Sequence, residues 1–242
     1  MTTGTVFCLG LGPGDPDLMT VRADRLLRQA RHVAYFRKRG RKGQARQIVE
    51  GLLPDAVIEF PMEYPVTTEI PFTDPEYNRL LSAFYEDCVA HLRKLAQDGE
   101  DIMVLCEGDP FFYGSFMHLY TRLQPDIPIE IVPAVTGMSA AWTATGQPVT
   151  WGDDVLTVLM GTLPEVDLVS RISDSDALVI MKIGRNIDKV RAALRTAGKF
   201  DDAWLIEFAS MPGQTVQRLS EAEGKVTPYF SIIVVHGQGR RP

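Results

Sequence analysis

Short apolar runs alternate with segments of helical period through the first half of the chain, and no other feature constrains the fold as much. Strands are predicted over 4–11, 32–36, 56–61, 101–106 and 128–132, and helices over 16–30, 44–53, 76–98 and 114–123. Asp15 is placed to cap the first helix, Pro16 suits its first turn, and Asp17 complements its dipole. Alternation of this kind predicts an α/β unit with a mostly parallel sheet, whose ligands collect beyond the carboxyl ends of the strands. In the second half, strands are predicted over 154–160, 177–183, 203–208, 214–220 and 229–236. The last ones follow with too little chain between them for a crossover helix, which predicts a mixed, partly antiparallel sheet. The stretch Gln124–Pro128 reads as a hinge, giving two α/β domains over 1–124 and 125–242.

Composition narrows the function classes. The net charge of −6 argues against a nucleic-acid partner, because such proteins neutralise phosphates with a basic excess. No apolar run is long enough to span a bilayer, so no membrane partner is expected. The opening residues lack a basic leader, and a cytoplasmic location is the expectation. Cys8, Cys88 and Cys106 lie far apart and read as core residues, and the four histidines are equally dispersed, so no metal site is expected. One segment runs against the acidic balance: 37–46 holds Arg37, Lys38, Arg39, Arg41, Lys42 and Arg46. It is either a solvated loop or a receptor for a polyanionic ligand.

Three loops carry the chemistry. The first, Gly10-Leu11-Gly12-Pro13-Gly14-Asp15, follows the first strand but departs from the dinucleotide-binding pattern Gly-x-Gly-x-x-Gly. Asp15 stands where the third glycine belongs, and its carboxylate opposes a pyrophosphate at the same amides. A nicotinamide or flavin enzyme is therefore disfavoured. The second loop, Glu107-Gly108-Asp109-Pro110-Phe111-Phe112-Tyr113-Gly114, follows a strongly apolar strand. Its acidic residues and open backbone suit a cationic, hydrogen-bonding ligand better than a phosphate. The third runs from Val132-Pro133-Ala134-Val135-Thr136-Gly137 into a helix of small residues, which allows a close approach to a neighbour or ligand. A long loop over 62–75, with three prolines, follows the third strand.

In this order and spacing the three segments resemble the tetrapyrrole methylase family, two-domain methyltransferases that use S-adenosylmethionine. The one departure is Ala134, where the family motif usually has glycine. The likeness continues through Val179–Gly184, Ile206–Thr215 and Tyr229–Gly237. Phe60-Pro61-Met62 and the segment Tyr64–Pro71 resemble the branch that methylates carbon 20 of precorrin-2 to give precorrin-3A in cobalamin biosynthesis. They are more similar to its aerobic, cobalt-late form than to the form acting on cobalt-precorrin-2.

The resemblance implies a donor cleft between the domains, with contacts from Pro13, Gly108, Asp109, Phe112, Thr136, Gly137, Met181, Ala209 and Ser231. By residue type alone, Met181 and Ala209 read as core. It implies a homodimer, S-adenosylhomocysteine as co-product and no metal. Attack by an electron-rich ring carbon on a sulfonium methyl needs positioning more than a strong base. A proton leaves that carbon afterwards, and Asp15, Glu107, Asp109 and Tyr113 are the candidate acceptors, with water as the other choice. The macrocycle carries many carboxylates, for which Arg37, Lys38, Arg39 and Arg41 are the expected anchors. The readings set against this one are another methylase of the fold, acting on a different tetrapyrrole or on RNA, and a tetrapyrrole carrier without an intact donor site.

Overall fold

In a computed structural model that describes residues 2–67, 69–71 and 73–240, the predicted alternation becomes a five-stranded parallel sheet. The elements in order are β1 (Val6–Gly10), α1 (Val21–Leu27), β2 (His32–Lys38), α2 (Gln44–Ile48), β3 (Ile58–Tyr64), α3 (Pro75–Gln97), β4 (Ile102–Cys106), α4 (Phe116–Leu123) and β5 (Ile129–Val132). The strand order is β3-β2-β4-β1-β5, with every pairing parallel. All five residues of β4 are buried, as expected for a central strand covered on both faces. Successive side chains point to opposite faces. Cys8, Ile102, Val104 and Cys106 join Leu92 of α3 with Phe116 and Leu119 of α4. Leu9, Met103 and Leu105 join Ala23 and Leu27 of α1 and Ile48 of α2.

Several boundaries differ from the sequence reading, each for a local reason. The helix expected over 16–30 is two pieces. Asp15 caps a single 3₁₀ turn, Pro16–Leu18, by accepting from the Asp17 amide, and Met19 and Thr20 are extended. Thr20 then caps α1 by accepting from the Ala23 amide at 3.2 Å. Two capping residues close together thus start two helices rather than one. The helix expected from 114 begins at Phe116, and Gly114 ahead of it packs so closely that a Cβ there would meet the Pro110 carbonyl oxygen at 2.8 Å. The long helix α3 has the cap and stripe its sequence predicts: Asp74 accepts from the Glu76 amide, and Tyr85, Cys88, Val89, Leu92 and Ala96 form its buried face.

The second half forms α5 (Gly137–Ala144), β6 (Leu156–Met160), α6 (Glu165–Ser173), β7 (Ala177–Met181), α7 (Ile187–Thr196), β8 (Ala203–Glu207), β9 (Thr215–Arg218) and β10 (Ser231–Val235). Its sheet, ordered β6-β7-β10-β8-β9, is mixed. β6 and β7 are parallel, while β10 is antiparallel to both β7 and β8, and β9 is antiparallel to β8. Leu168 and Ile172 of α6 and Val190 and Leu194 of α7 cover one face, and Ala141 of α5 lies with Ile206 and Val234 on the other.

The chain divides into two compact units, Met1–Thr136 and Gly137–Pro242, rather than at 124/125. The physical reason is β5. It pairs with β1 from Val6↔Ile129 to Leu9↔Val132, so the strand after the proline-rich stretch completes the first sheet. Gln124–Pro128 is a connection inside that unit, where the Ile127 amide donates to the Leu123 carbonyl.

Candidate functional site

At the carboxyl edge of the first sheet, the loops after β1, β4 and β5 are laced together by main-chain contacts. The Leu11 amide donates to the Cys106 carbonyl at 2.9 Å, and the Gly108 amide donates to the Gly12 carbonyl at 2.8 Å. Gly10 has no room for a side chain: a Cβ there would lie 2.6 Å from Ala134 Cβ and 2.9 Å from Pro110 Cδ. Asp109 clamps the second loop to the third. One carboxylate oxygen accepts from the Phe111 amide at 2.9 Å and the other from the Ala134 amide at 3.0 Å. Ala134, the departure from the family motif, therefore keeps its backbone in the shared network. Pro13, Gly108, Asp109, Phe112 and Thr136 all lie on the loops of this one edge. Gly108 has a φ of 66°, and nothing lies within 4 Å of the position its Cβ would take, so its backbone is open to a ligand.

The second unit gathers its predicted residues in the same manner. Met181 ends β7, Ala209 lies just past the end of β8, and Ser231 begins β10. Because β10 runs antiparallel to both strands, its first residue lies beside their last ones, with Ser231 opposite Glu207. Gly137 opens α5, and a Cβ there would touch only Ile232, at 3.7 Å. Ser231 donates its hydroxyl to the Pro228 carbonyl at 2.8 Å.

Among the described residues, the non-glycine positions with left-handed backbone are Tyr113, Lys182, Phe208 and Ser210, with φ between 53° and 59°. Each adjoins a predicted donor contact: Tyr113 follows Phe112, Lys182 follows Met181, and Phe208 and Ser210 flank Ala209. Such conformations cost about 1–3 kcal/mol each and concentrate at binding sites, where the surrounding structure holds them. Residue type gave no hint of them.

The candidate proton acceptors differ in what they touch. Asp15 caps the 3₁₀ turn, and both oxygens of Asp109 are engaged by amides. Tyr113 is exposed. Glu107 is exposed at the surface, and the protein gathered around its carboxyl pushes it up to about 7. Cys8 and Cys106, with sulfurs 3.4 Å apart, are buried in the sheet, and burial pushes the Cys8 thiol up.

The basic run is largely neutralised by carboxylates that the sequence reading overlooked. Arg37 bonds Glu63 of β3 at 2.9 Å, Lys42 bonds Glu50 at 2.8 Å, and Arg46 forks onto Glu59 at 2.9–3.0 Å. Lys38 bonds Glu69, whose other oxygen accepts from the Thr67 amide at 2.7 Å. These bonds hold the Glu69 carboxyl well below its usual range. Arg39 and Arg41 are exposed and have no ion-pair partner among the described residues. In the loop after β3, Thr68 and Phe72 lie outside the described residues. At its base the Tyr64 hydroxyl donates to Ser115, while the Tyr64 ring stacks on Phe36 with centroids 5.4 Å apart.

A model of the tetrapyrrole (corrin/porphyrin) methylases matches residues 5–223. The chain belongs to that family. The methylase is 45% identical to a precorrin-2 C(20)-methyltransferase from Sinorhizobium sp, over 99% of this chain and 98% of that one. It is 28% identical to the cobalt-precorrin-2 C(20)-methyltransferase of Salmonella typhimurium, over 97% of each chain. The solved structure of a cobalt precorrin-4 methyltransferase, CbiF, matches its fold with a TM-score of 0.73 at 23% identity, covering 96% of this methylase and 94% of the other. The methylase therefore has the fold expected from its sequence: a parallel α/β unit followed by a mixed one. Among the described residues, no group of three or more histidine, cysteine or acidic side chains is arranged to hold a metal ion.

Proposed function

We propose that this methylase transfers the methyl group of S-adenosylmethionine to carbon 20 of precorrin-2, giving precorrin-3A and S-adenosylhomocysteine. The identity of 45% with the precorrin-2 enzyme, along nearly the whole of both chains, carries the choice of acceptor. The lower identity with the cobalt-precorrin-2 enzyme favours the metal-free macrocycle. For the donor, the support is local: the open backbone of Gly108 and the left-handed residues beside Phe112, Met181 and Ala209 fit a ligand held by main-chain groups and apolar walls. The donor contacts in this reading are Pro13, Gly108, Asp109, Phe112 and Thr136 of the first unit and Gly137, Met181, Ala209 and Ser231 of the second.

When bound, S-adenosylmethionine supplies a methyl carbon already activated by positive sulfur. What the protein adds is position and exclusion of water, with the acceptor carbon held about 3–3.5 Å from the methyl group. Phe112 supplies an apolar wall, and the Asp109 clamp fixes the backbone against which the ligand rests. In this reading Arg39 and Arg41 anchor substrate carboxylates directly, since neither is held by a carboxylate among the described residues. Arg37 and Lys38 take that role only by exchanging Glu63 and Glu69 for the substrate. A charge-assisted contact is worth about 1.5–3 kcal/mol, so replacing Arg39 and Arg41 together by alanine should raise the KM for precorrin-2 about tenfold or more. The affinity for S-adenosylhomocysteine should stay the same. Steady-state kinetics and calorimetric titration check the pair, and an unchanged KM removes these two residues from the substrate site.

The reading includes a cytoplasmic homodimer with no membrane or nucleic-acid partner, supported by family resemblance and by the net charge of −6. The decisive test incubates the protein with labelled donor and either metal-free or cobalt-bearing precorrin-2, and reads the methylated carbon by NMR. Label at another carbon, or none, sinks the assignment. A carrier would instead give no heat on titration with S-adenosylhomocysteine.

A further inference from the structure

The acidic groups at the carboxyl edge of the first sheet are not equivalent, and one of them has no structural task. Asp109 already accepts two amide hydrogens, and Asp15 accepts from the Asp17 amide at the start of its turn. Glu107, the first residue beyond the central strand β4, has no hydrogen-bond or ion-pair partner among the described residues. It directly precedes Gly108, the point where the backbone is open. At the end of β2, Arg37 and Lys38 are paired with Glu63 and Glu69 rather than with Glu107, and Arg39 and Arg41 beyond them have no ion-pair partner among the described residues.

We propose that Glu107 is the catalytic residue that takes the proton released from the acceptor carbon after methylation. The inference rests on the ring-methylation reading given above. In that reaction the ring carbon uses its enamine electrons to form the new carbon–carbon bond, and the bond from methyl to sulfur breaks toward sulfur. The ring carbon then bears both hydrogen and methyl, and the macrocycle carries one positive charge. Glu107 accepts the hydrogen as a proton; the electron pair of the broken carbon–hydrogen bond restores the double bond and neutralises the ring. The resulting carboxylic acid loses its proton to water before the next turnover.

Local crowding suits Glu107 to this work. A carboxyl that titrates at about 7 is a stronger base than an ordinary carboxylate, and it is still substantially ionised at neutral pH. The sign is fixed by the raised value. Below about pH 7 the group is protonated and cannot accept, so the single-turnover rate of hydrogen loss from the methylated carbon should rise with pH through that region and then level off.

The test compares the wild type with Glu107→Gln, which keeps the shape and removes the base. Equal affinity for S-adenosylhomocysteine in the two proteins establishes that the variant is folded and binds donor. The single-turnover rate of hydrogen loss from the methylated carbon should then fall about 100-fold or more, with little change in KM for the acceptor. The rising limb near pH 7 should disappear, and Glu107→Asp should restore part of the rate. Wild-type rate and limb in the glutamine variant overturn the proposal. So does a loss of donor affinity alone, which makes Glu107 a donor contact. If the wild type itself methylates no tetrapyrrole, the underlying reading falls first and this assignment with it.

Discussion

At the scale of single residues, Asp109 shows how far residue type informs and where it stops. As part of a Gly-Asp-Pro loop it reads as a ligand contact or a base. The structure adds a task that residue type does not disclose: one oxygen accepts from the Phe111 amide and the other from the Ala134 amide of a different loop. Asp109→Asn keeps one acceptor but turns an amino group toward the second amide. The expected cost is about 1–3 kcal/mol in denaturant unfolding, together with weaker binding of S-adenosylhomocysteine as the third loop loosens. A variant with wild-type stability and affinity argues that the clamp is dispensable. The neighbouring constraint, that Gly10 must lack a side chain, depends on Ala134 and Pro110 arriving at the same point from distant positions in the chain. Glycine in the motif was legible; the atoms that demand it were not.

Elements were read well where a local signal sets them. The apolar runs became strands, and α3 followed its Asp74 cap and its buried stripe. The first helix broke because two capping side chains, Asp15 and Thr20, compete for its start, and periodicity alone does not rank them. The loop after β3 was recognised by its prolines, but its anchors come from elsewhere: Lys38 of β2 through Glu69, and Ser115 ahead of α4 through Tyr64. Tyr64→Phe removes the hydroxyl and leaves the ring on Phe36. The expected loss is about 0.5–1.5 kcal/mol of stability, with faster proteolytic cleavage in the loop over 65–74. Cleavage at the wild-type rate would mean that Ser115 does not restrain this loop.

For the molecule as a whole, the parallel and mixed sheets were foreseen as classes, whereas strand order and the unit boundary were not. Order depends on which buried faces find each other, and β4 lies at the centre of β3-β2-β4-β1-β5 although it is fourth in the chain. Central burial carries a quantitative consequence. Leu105→Ala, in a strand buried on both faces, should cost about 2–5 kcal/mol in denaturant unfolding. Val166→Ala, on the exposed side of α6, should change stability by less than about 0.5 kcal/mol. Comparable losses at the two sites would contradict a core organised around β4. The chain by itself determined its strands, its capped helices and the three glycine- and proline-bearing loops, because each follows from residues close together in sequence. Only the tertiary structure decided where the first unit ends, which carboxylates are occupied and which backbone positions are held left-handed. Those outcomes depend on partners brought together from remote parts of the chain, and local spacing carries no record of such partners.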